Sequence, residues 1–322
     1  TVVSGPTDSE LEKPVNKYTD ERTNTYTILF NGGEAKDKDY IVIPHITDVA
    51  GNSNVKEGLS YVDGTIASQE FTIDKVAPMV DVKYDNNDVK NGKYFNADRT
   101  ATVTFTERNY NESKISFNLN GTSYTLTDLV TADGIQSVSR DNPDGVKHIY
   151  KIVFGEKENE KSYDHDFNFL PVIEDKAGNK NAKVKYADGV KAGQKFTIDK
   201  VAPTIDVAYT TAGSAVTTGT DENSRLYKNE DITATVTINE RNFSKETGFS
   251  EDPKQMNLSY EAKNYKRDKD IKTENYTDSA NTKDNWSSNT IERTTKFQFT
   301  EDANYTLGIT YRDLAGNEVV YN

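Results

Sequence analysis

The sequence predicts an all-β chain built from tandem two-layer sandwich domains. Three features carry this reading: a string that returns unchanged after a domain's length, short runs of period two, and turn sequences between them. The string is Phe71-Thr72-Ile73-Asp74-Lys75-Val76-Ala77-Pro78, which recurs as Phe196-Thr197-Ile198-Asp199-Lys200-Val201-Ala202-Pro203. From Asp74 to Asp199 is 125 residues, longer than a solenoid period and the size of one domain per copy. Phe-Thr-Ile reads as a short strand, Asp-Lys as a polar joint, and Val-Ala-Pro as the entry to the next strand, where proline is tolerated because it cannot donate to a ladder. The joint contains no glycine. Pro78 and Pro203 fix their own φ, and Ala77 and Ala202 before them are pushed to extended backbone, so the linkers are expected to be short and stiff.

Composition agrees with thin sandwiches. Of 322 residues 34% are hydrophobic, and because Gly and Tyr both number 19, counting one in place of the other leaves the figure unchanged. That is below the ~45–50% of an average protein and implies small cores with solvated outer faces. The 19 Tyr and 13 Phe, many at strand spacings, argue against disorder. A net charge of −13 is the wrong sign for tracking phosphates, which disfavours nucleic acid. No run of 18 apolar residues is present, so no membrane insertion is expected of this stretch, and Thr1 to Pro6 do not read as a signal peptide. Zero cysteines exclude disulfides, Cys metal sites and Cys nucleophiles.

Taken in order, the elements are strands. Asp48-Val49-Ala50-Gly51-Asn52 recurs as Asp175-Lys176-Ala177-Gly178-Asn179 and Asp313-Leu314-Ala315-Gly316-Asn317, a composition suited to tight turns and read as hairpins. Stepping back by twos from each Asp predicts one buried strand face: Tyr40, Val42, Pro44, Ile46; Phe167, Phe169, Pro171, Ile173; Tyr305, Leu307, Ile309, Tyr311. A third string, Ala101-Thr102-Val103-Thr104-Phe105 closed by Glu107-Arg108-Asn109, returns as Ala234-Thr235-Val236-Thr237-Ile238 closed by Glu240-Arg241-Asn242, a half-buried strand ending in a charged corner. Further strands are expected around Phe117 and Leu258, and around Ile152 and Phe297. Asp37 before Tyr40, Asp164 before Phe167 and Asp302 before Tyr305 resemble the tyrosine corner of immunoglobulin-like domains, although Phe167 lacks the hydroxyl. The fold expected is therefore a series of tandem immunoglobulin-like antiparallel β-sandwich domains. Residues 1–75 form a partial one, its C-terminal half, because no Glu-Arg-Asn corner precedes Asp48. Residues 76–200 form a complete domain, and 201–322 one with a long insertion and its last strand missing. Such a piece is expected to come from a longer array.

Phe-Thr-Ile-Asp-Lys-Val-Ala-Pro, Glu-Arg-Asn-Phe and Asp-Leu-Ala-Gly-Asn together resemble the tandem bacterial Ig-like repeats of large cell-surface proteins in gut Firmicutes, over nearly the whole chain. The resemblance implies an extracellular, cell-surface location and a non-catalytic role as stalk or adhesin array. It also implies two alternatives: a module binding host protein, immunoglobulin among them, and an accessory region of a secreted carbohydrate-active enzyme.

Candidate site residues follow from residue chemistry. His45, His148 and His165 fall on or beside strands without a repeated acid or nucleophile, so no catalytic constellation is read. The joints gather hard oxygens: Asp74 or Asp199 near a turn bearing Asp175 and Asn179 and a corner bearing Glu107 or Glu240, a set that could hold Ca2+, or simply make turns and cap strands. Arg108 and Arg241 read as local corner braces, with a bridge to a joint carboxylate as the other possibility. The longer third repeat carries Tyr260, Tyr265, Tyr276 and the only tryptophan, Trp286, either a recognition patch or, for the tryptophan, part of a core.

Overall fold

The computed structural model describes residues 2–4, 15–18, 24–30, 36–42, 45–53, 70–141, 144–155, 163–212, 214–215, 228–243, 256–263, 272–275, 287–288, 291–300 and 304–322. Among these the regular structure is β, with two short 3-10 turns and no α-helix. Three successive units are distinguished by their sheets, and the second and third each enclose a hydrophobic cluster of their own.

The first unit contains β1 (Val2–Ser4), β2 (Val15–Tyr18), β3 (Asn24–Thr27), β4 (Asp37–Val42) and β5 (Glu70–Asp74), arranged as a β1-β4-β5 sheet and a β2-β3 hairpin. Stacking of Tyr40 on Phe71, with Phe30 edge-on to both, makes its aromatic centre.

The second unit comprises β6 (Met79–Tyr84), β7 (Tyr94–Phe95), β8 (Arg99–Thr106), β9 (Ile115–Leu119), β10 (Thr122–Tyr124), β11 (Ile135–Asp141), β12 (Lys147–Phe154), β13 (Asp164–Ile173), β14 (Val184–Tyr186) and β15 (Lys195–Asp199). Two five-stranded sheets, β10-β9-β13-β15-β7 and β11-β12-β8-β6-β14, face each other. Their inner faces meet through aromatic pairs, Phe105 against Phe117 at 6.2 Å and Phe154 against Phe169 at 5.0 Å, within the range where edge-to-face rings attract. Most pairings are antiparallel, as expected, but β14 joins β6 and β15 joins β7 in parallel, because the chain changes sheet between those partners.

The third unit repeats this plan with β16 (Thr204–Thr211), β17 (Ser214–Ala215), β18 (Ile232–Asn239), β19 (Met256–Lys263), β20 (Lys272–Asn275), β21 (Ser287–Ser288), β22 (Glu292–Phe299), β23 (Asn304–Arg312) and β24 (Glu318–Tyr321). Its sheets run β17-β16-β18-β22-β21 and β20-β19-β23-β24. The extra sequence expected as an insertion includes β20 and β21, which pair with β19 and β22 as β10 and β11 pair with β9 and β12.

Period-two alternation sets the register, and it also buries a charge. Along β8 the inward positions are Arg99, Ala101, Val103 and Phe105, while four threonines face outward. Arg99 therefore points into the core. Nε donates to the Asn86 carbonyl at 2.9 Å, Nη1 to Ala192 at 2.7 Å, and Nη2 to Lys191 at 2.6 Å and to Asn87 Oδ1 at 3.2 Å. The guanidinium lies over the rings of Tyr84, Phe95 and Phe196 at 3.7, 4.3 and 4.8 Å. Burial lowers its pKa to about 10, still charged at neutral pH. Carbonyl dipoles and ring faces thus replace both water and a counter-ion.

The predicted buried face of β13 is observed, and that of β23 is buried from Leu307 to Tyr311 with Tyr305 half-buried; in the first unit Val42 is half-buried and Pro44 lies outside the described residues. Tyr40 is buried, whereas Ile46 is 62% exposed. Among the described residues this unit has no counterparts of β6 and β8.

Replacing Arg99 by leucine strands three backbone carbonyls without donors. Unfolding of the second unit, followed by hydrogen exchange on β8 and β12, is expected to show a loss of about 2–4 kcal/mol, and an unchanged value would refute the cage described.

Candidate functional site

The side chains that sequence reasoning gathered at the joints do converge there, and the structure adds partners from the preceding unit. The last ladder pair of the first unit is Asp37 opposite Asp74, and that of the second is Asp164 opposite Asp199. Like charges facing each other across a ladder repel. The corner of the following unit supplies what this pair lacks. Asn109 Nδ2 donates to Asp37 Oδ1 at 2.7 Å and to Asp74 Oδ2 at 2.6 Å, and Asn242 Nδ2 donates to Asp164 Oδ1 at 2.9 Å and to Asp199 Oδ2 at 2.6 Å.

The adjacent arginine completes the clamp. Arg108 engages Asp37 in a two-pronged contact and donates through Nη1 to Asp39 at 2.8 Å; Arg241 engages Asp164 in the same way and Asp166 at 2.9 Å. The expectation of a local corner brace is therefore corrected, since both arginines reach across the joint to the preceding unit. The physical reason is the DxD spacing: residues two apart on a strand share a face, so Asp37 and Asp39 present both carboxylates to one guanidinium. That spacing, before Tyr40 and again before Phe167, was the available signal for acceptors that sequence reasoning assigned to a tyrosine corner.

The glutamate of each corner turns inward. Glu107 and Glu240 are buried and accept the backbone N–H two residues on, from Asn109 and Asn242, at 2.6 Å each. The Asp175 turn is similarly self-contained: its Oδ1 accepts from the Ala177 and Asn179 N–H groups at 2.8 and 2.9 Å, and Oδ2 from Asn179 Nδ2 at 2.9 Å. Gly178 at φ 91° and Gly316 at φ 93° make these turns possible. Each turn also touches the joint. Asn179 Nδ2 donates to the Asp74 carbonyl at 3.2 Å, and Asn317 Nδ2 to the Asp199 carbonyl at 2.9 Å. The joint backbone is pinned at its other side by Val76 N to Asp74 Oδ1 and Val201 N to Asp199 Oδ1, both 2.9 Å, with Pro78 and Pro203 buried just beyond.

The two joints thus match group for group: Asp37, Asp39, Asp74, Glu107, Arg108, Asn109, Asp175 and Asn179 in one, and Asp164, Asp166, Asp199, Glu240, Arg241, Asn242, Asp313 and Asn317 in the other. In each, three carboxylates (Asp37, Asp74 and Glu107; Asp164, Asp199 and Glu240) offer oxygens within 4.8 Å of one another. At the second joint, desolvation pushes Glu240 up to about 8 and Asp313 to about 6, and raises Asp199. The Arg108 hydrogen bond instead holds the half-buried Asp37 of the first joint below its ordinary value. No protein-family model matches the chain, and no curated protein matches it either.

Of the aromatic candidates, Tyr260 lies on β19 opposite Leu307 on β23, while Tyr265, Tyr276 and Trp286 lie outside the described residues. His148 stacks on Tyr110 at 3.5 Å, and His165 lies 3.6 Å from Asp133.

Glu240 titrates in an accessible range. Because its folded pKa is raised above the unfolded value, its contribution is most favourable below about pH 4.5 and is lost as pH rises toward 8. Glu240→Gln is expected to flatten the pH dependence of third-unit stability between these limits and to raise stability at pH 8 by roughly 1 kcal/mol or more. Denaturation at pH 5 and pH 8 checks it, and an equal slope in both proteins would contradict it.

Proposed function

We propose that the chain is a non-catalytic, extracellular array of immunoglobulin-like β-sandwich units, a stiff spacer that presents adhesive surface to host molecules. The observation that supports this most is the repetition of the joint network in both places where one unit meets the next. Each joint lacks glycine, anchors a buried proline, and ties the following corner to two strands of the preceding unit. Such a clamp removes bending freedom at the place where a chain of domains would otherwise flex. Immunoglobulin is one host protein such an array would meet, and retention of polyclonal immunoglobulin on the immobilised chain tests that partner directly.

Small-angle scattering of corner variants tests the spacer reading. Arg241→Ala removes a half-exposed ion pair, expected to contribute about 0.2–1 kcal/mol, and should change the maximum dimension little. Asn242→Ala leaves the Asp164–Asp199 pair without its shared donor, a loss of about 1–3 kcal/mol, and should broaden the distance distribution. Identical curves for wild type and Asn242→Ala would count against the clamp.

A second reading places Ca2+ at each joint. It is favoured by the pair of equivalent three-carboxylate groups, beside each of which stands one carboxamide. Rotating Asn109 or Asn242 by half a turn would present Oδ1 in place of Nδ2 and add an oxygen to the set, chemistry that suits a hard cation. Calcium chloride against a chelator, read by thermal unfolding, decides between the two: a melting temperature that rises with calcium and is lost in Asn242→Ala supports the ion, and equal curves support closure by the amide donor alone.

A further inference from the structure

Asparagine is followed by glycine at Asn31, Asn91 and Asn120, and the pairs at Asn91 and Asn120 lie among the described residues. Both form left-handed turns, with φ 46° and 81° at Asn91 and Gly92 and φ 52° and 88° at Asn120 and Gly121. Backbone conformation therefore does not distinguish them, but their hydrogen bonds do. The Asn120 carboxamide is held at both ends: Oδ1 accepts from Asn168 N at 2.7 Å and Nδ2 donates to the Asp166 carbonyl at 2.8 Å. The Gly121 N–H is occupied as well, donating to Asn118 Oδ1 at 3.2 Å. The Asn91 carboxamide is held at one end alone, by Nδ2 donating to the Leu314 carbonyl at 2.7 Å. Neither Asn91 Oδ1 nor the Gly92 N–H has a hydrogen-bond partner among the described residues.

That single bond joins the second unit to the third. The hairpin that carries Asn91 is closed by Lys90 N to the Tyr94 carbonyl at 2.7 Å and Tyr94 N to the Lys90 carbonyl at 2.9 Å. It lies against the turn at 313–317, where Lys90 and Asn96 are the side chains nearest to the open side of Gly316. Leu314 is thus gripped twice: its N–H donates to the Asn242 carbonyl at 3.0 Å within its own unit, and its carbonyl accepts from Asn91 of the unit before.

We propose that Asn91-Gly92 is a self-acting modification site whose product unfastens the second unit from this turn. Once the hairpin opens enough for the two atoms to meet, the Gly92 nitrogen attacks Asn91 Cγ. A C–N bond forms, the Cγ–Nδ2 bond breaks, and Nδ2 leaves as ammonia with the proton that Gly92 gives up. Water then adds to one carbonyl of the resulting cyclic imide. Opening at the main-chain carbonyl gives isoaspartate, and opening at the side-chain carbonyl gives aspartate, with water the only co-reactant. Either product is an acceptor where Asn91 was a donor, so the bond to the Leu314 carbonyl cannot re-form. Isoaspartate also adds a carbon to the main chain inside a turn whose ends Lys90 and Tyr94 fix. The Asn242 donors to Asp164 and Asp199 are untouched by this chemistry, so the inference stands or falls apart from the spacer reading.

The test incubates the full chain in mildly alkaline buffer and follows both pairs by peptide mapping with electron-transfer fragmentation, which separates aspartate from isoaspartate. Asn91 is expected to accumulate both products at least tenfold faster than Asn120. The consequence is read in Asn91→Asp, a substitution that keeps the turn because aspartate tolerates left-handed backbone as asparagine does. Hydrogen exchange at 314–317 is expected to quicken at least threefold in this variant, with exchange on β12 unchanged. Equal rates at the two pairs, faster conversion at Asn120, or no conversion at Asn91 would overturn the site. Unchanged exchange at 314–317 in Asn91→Asp would overturn the release.

Discussion

The arrangement depends on one carboxamide at each joint. Two aspartates close the final rung of a unit's sheet, and their charges would drive that rung apart if the chain ended its contacts there. Asn109 or Asn242, reaching back from the next unit, gives one N–H to each of them. A unit's last rung is therefore completed by its successor. Covalent continuity alone would leave two sandwiches on a tether; this donor makes the end of one fold part of the next.

Everything around the carboxamide serves to hold it. The buried glutamate two residues earlier accepts the asparagine's own N–H and fixes the corner. The arginine between them takes the outer carboxylates, and the Asp-x-Ala-Gly-Asn turn receives the corner carbonyl on one side and the joint carbonyl on the other. This concentration of acid in a partly dry place has a cost, visible in the raised pKa values of Glu240 and Asp313. The cost is larger at the second joint, where Asp199 is fully buried, than at the first, where Asp74 is only half-buried.

Much of this was legible in the sequence, for physical reasons. Strands such as Ala101 to Phe105 declare themselves because apolar and threonine positions alternate, and the joint declares itself because Phe-Thr-Ile-Asp-Lys-Val-Ala-Pro is repeated without change. Asp74, Asp199, Glu107 and Glu240 were recognisable as candidates because hard oxygens recur at turns and corners. What could not be read was direction across the joint. Arg108 is 71 residues from Asp37, and no local periodicity says that its fork closes on the preceding unit. Arg99 was likewise hidden, because a charged residue at an inward register is read by pattern as a break in the strand, whereas three carbonyls and three rings supplied by distant loops and strands make the site hospitable. Ile46 failed in the opposite sense: its pattern is that of a core residue, yet it is largely exposed.

The central claim is that the second and third units are held in one relative orientation. Because the chain has no cysteine, two spin labels can be placed without interference, at Ser137→Cys on β11 and Gln298→Cys on β22, both exposed positions. The electron–electron distance distribution between them is the most direct measurement. A single narrow peak is predicted for the wild-type joint in a metal-free buffer or with calcium. A broad distribution under both conditions would contradict the account, because a tether that samples many angles is what the shared carboxamide is held to prevent.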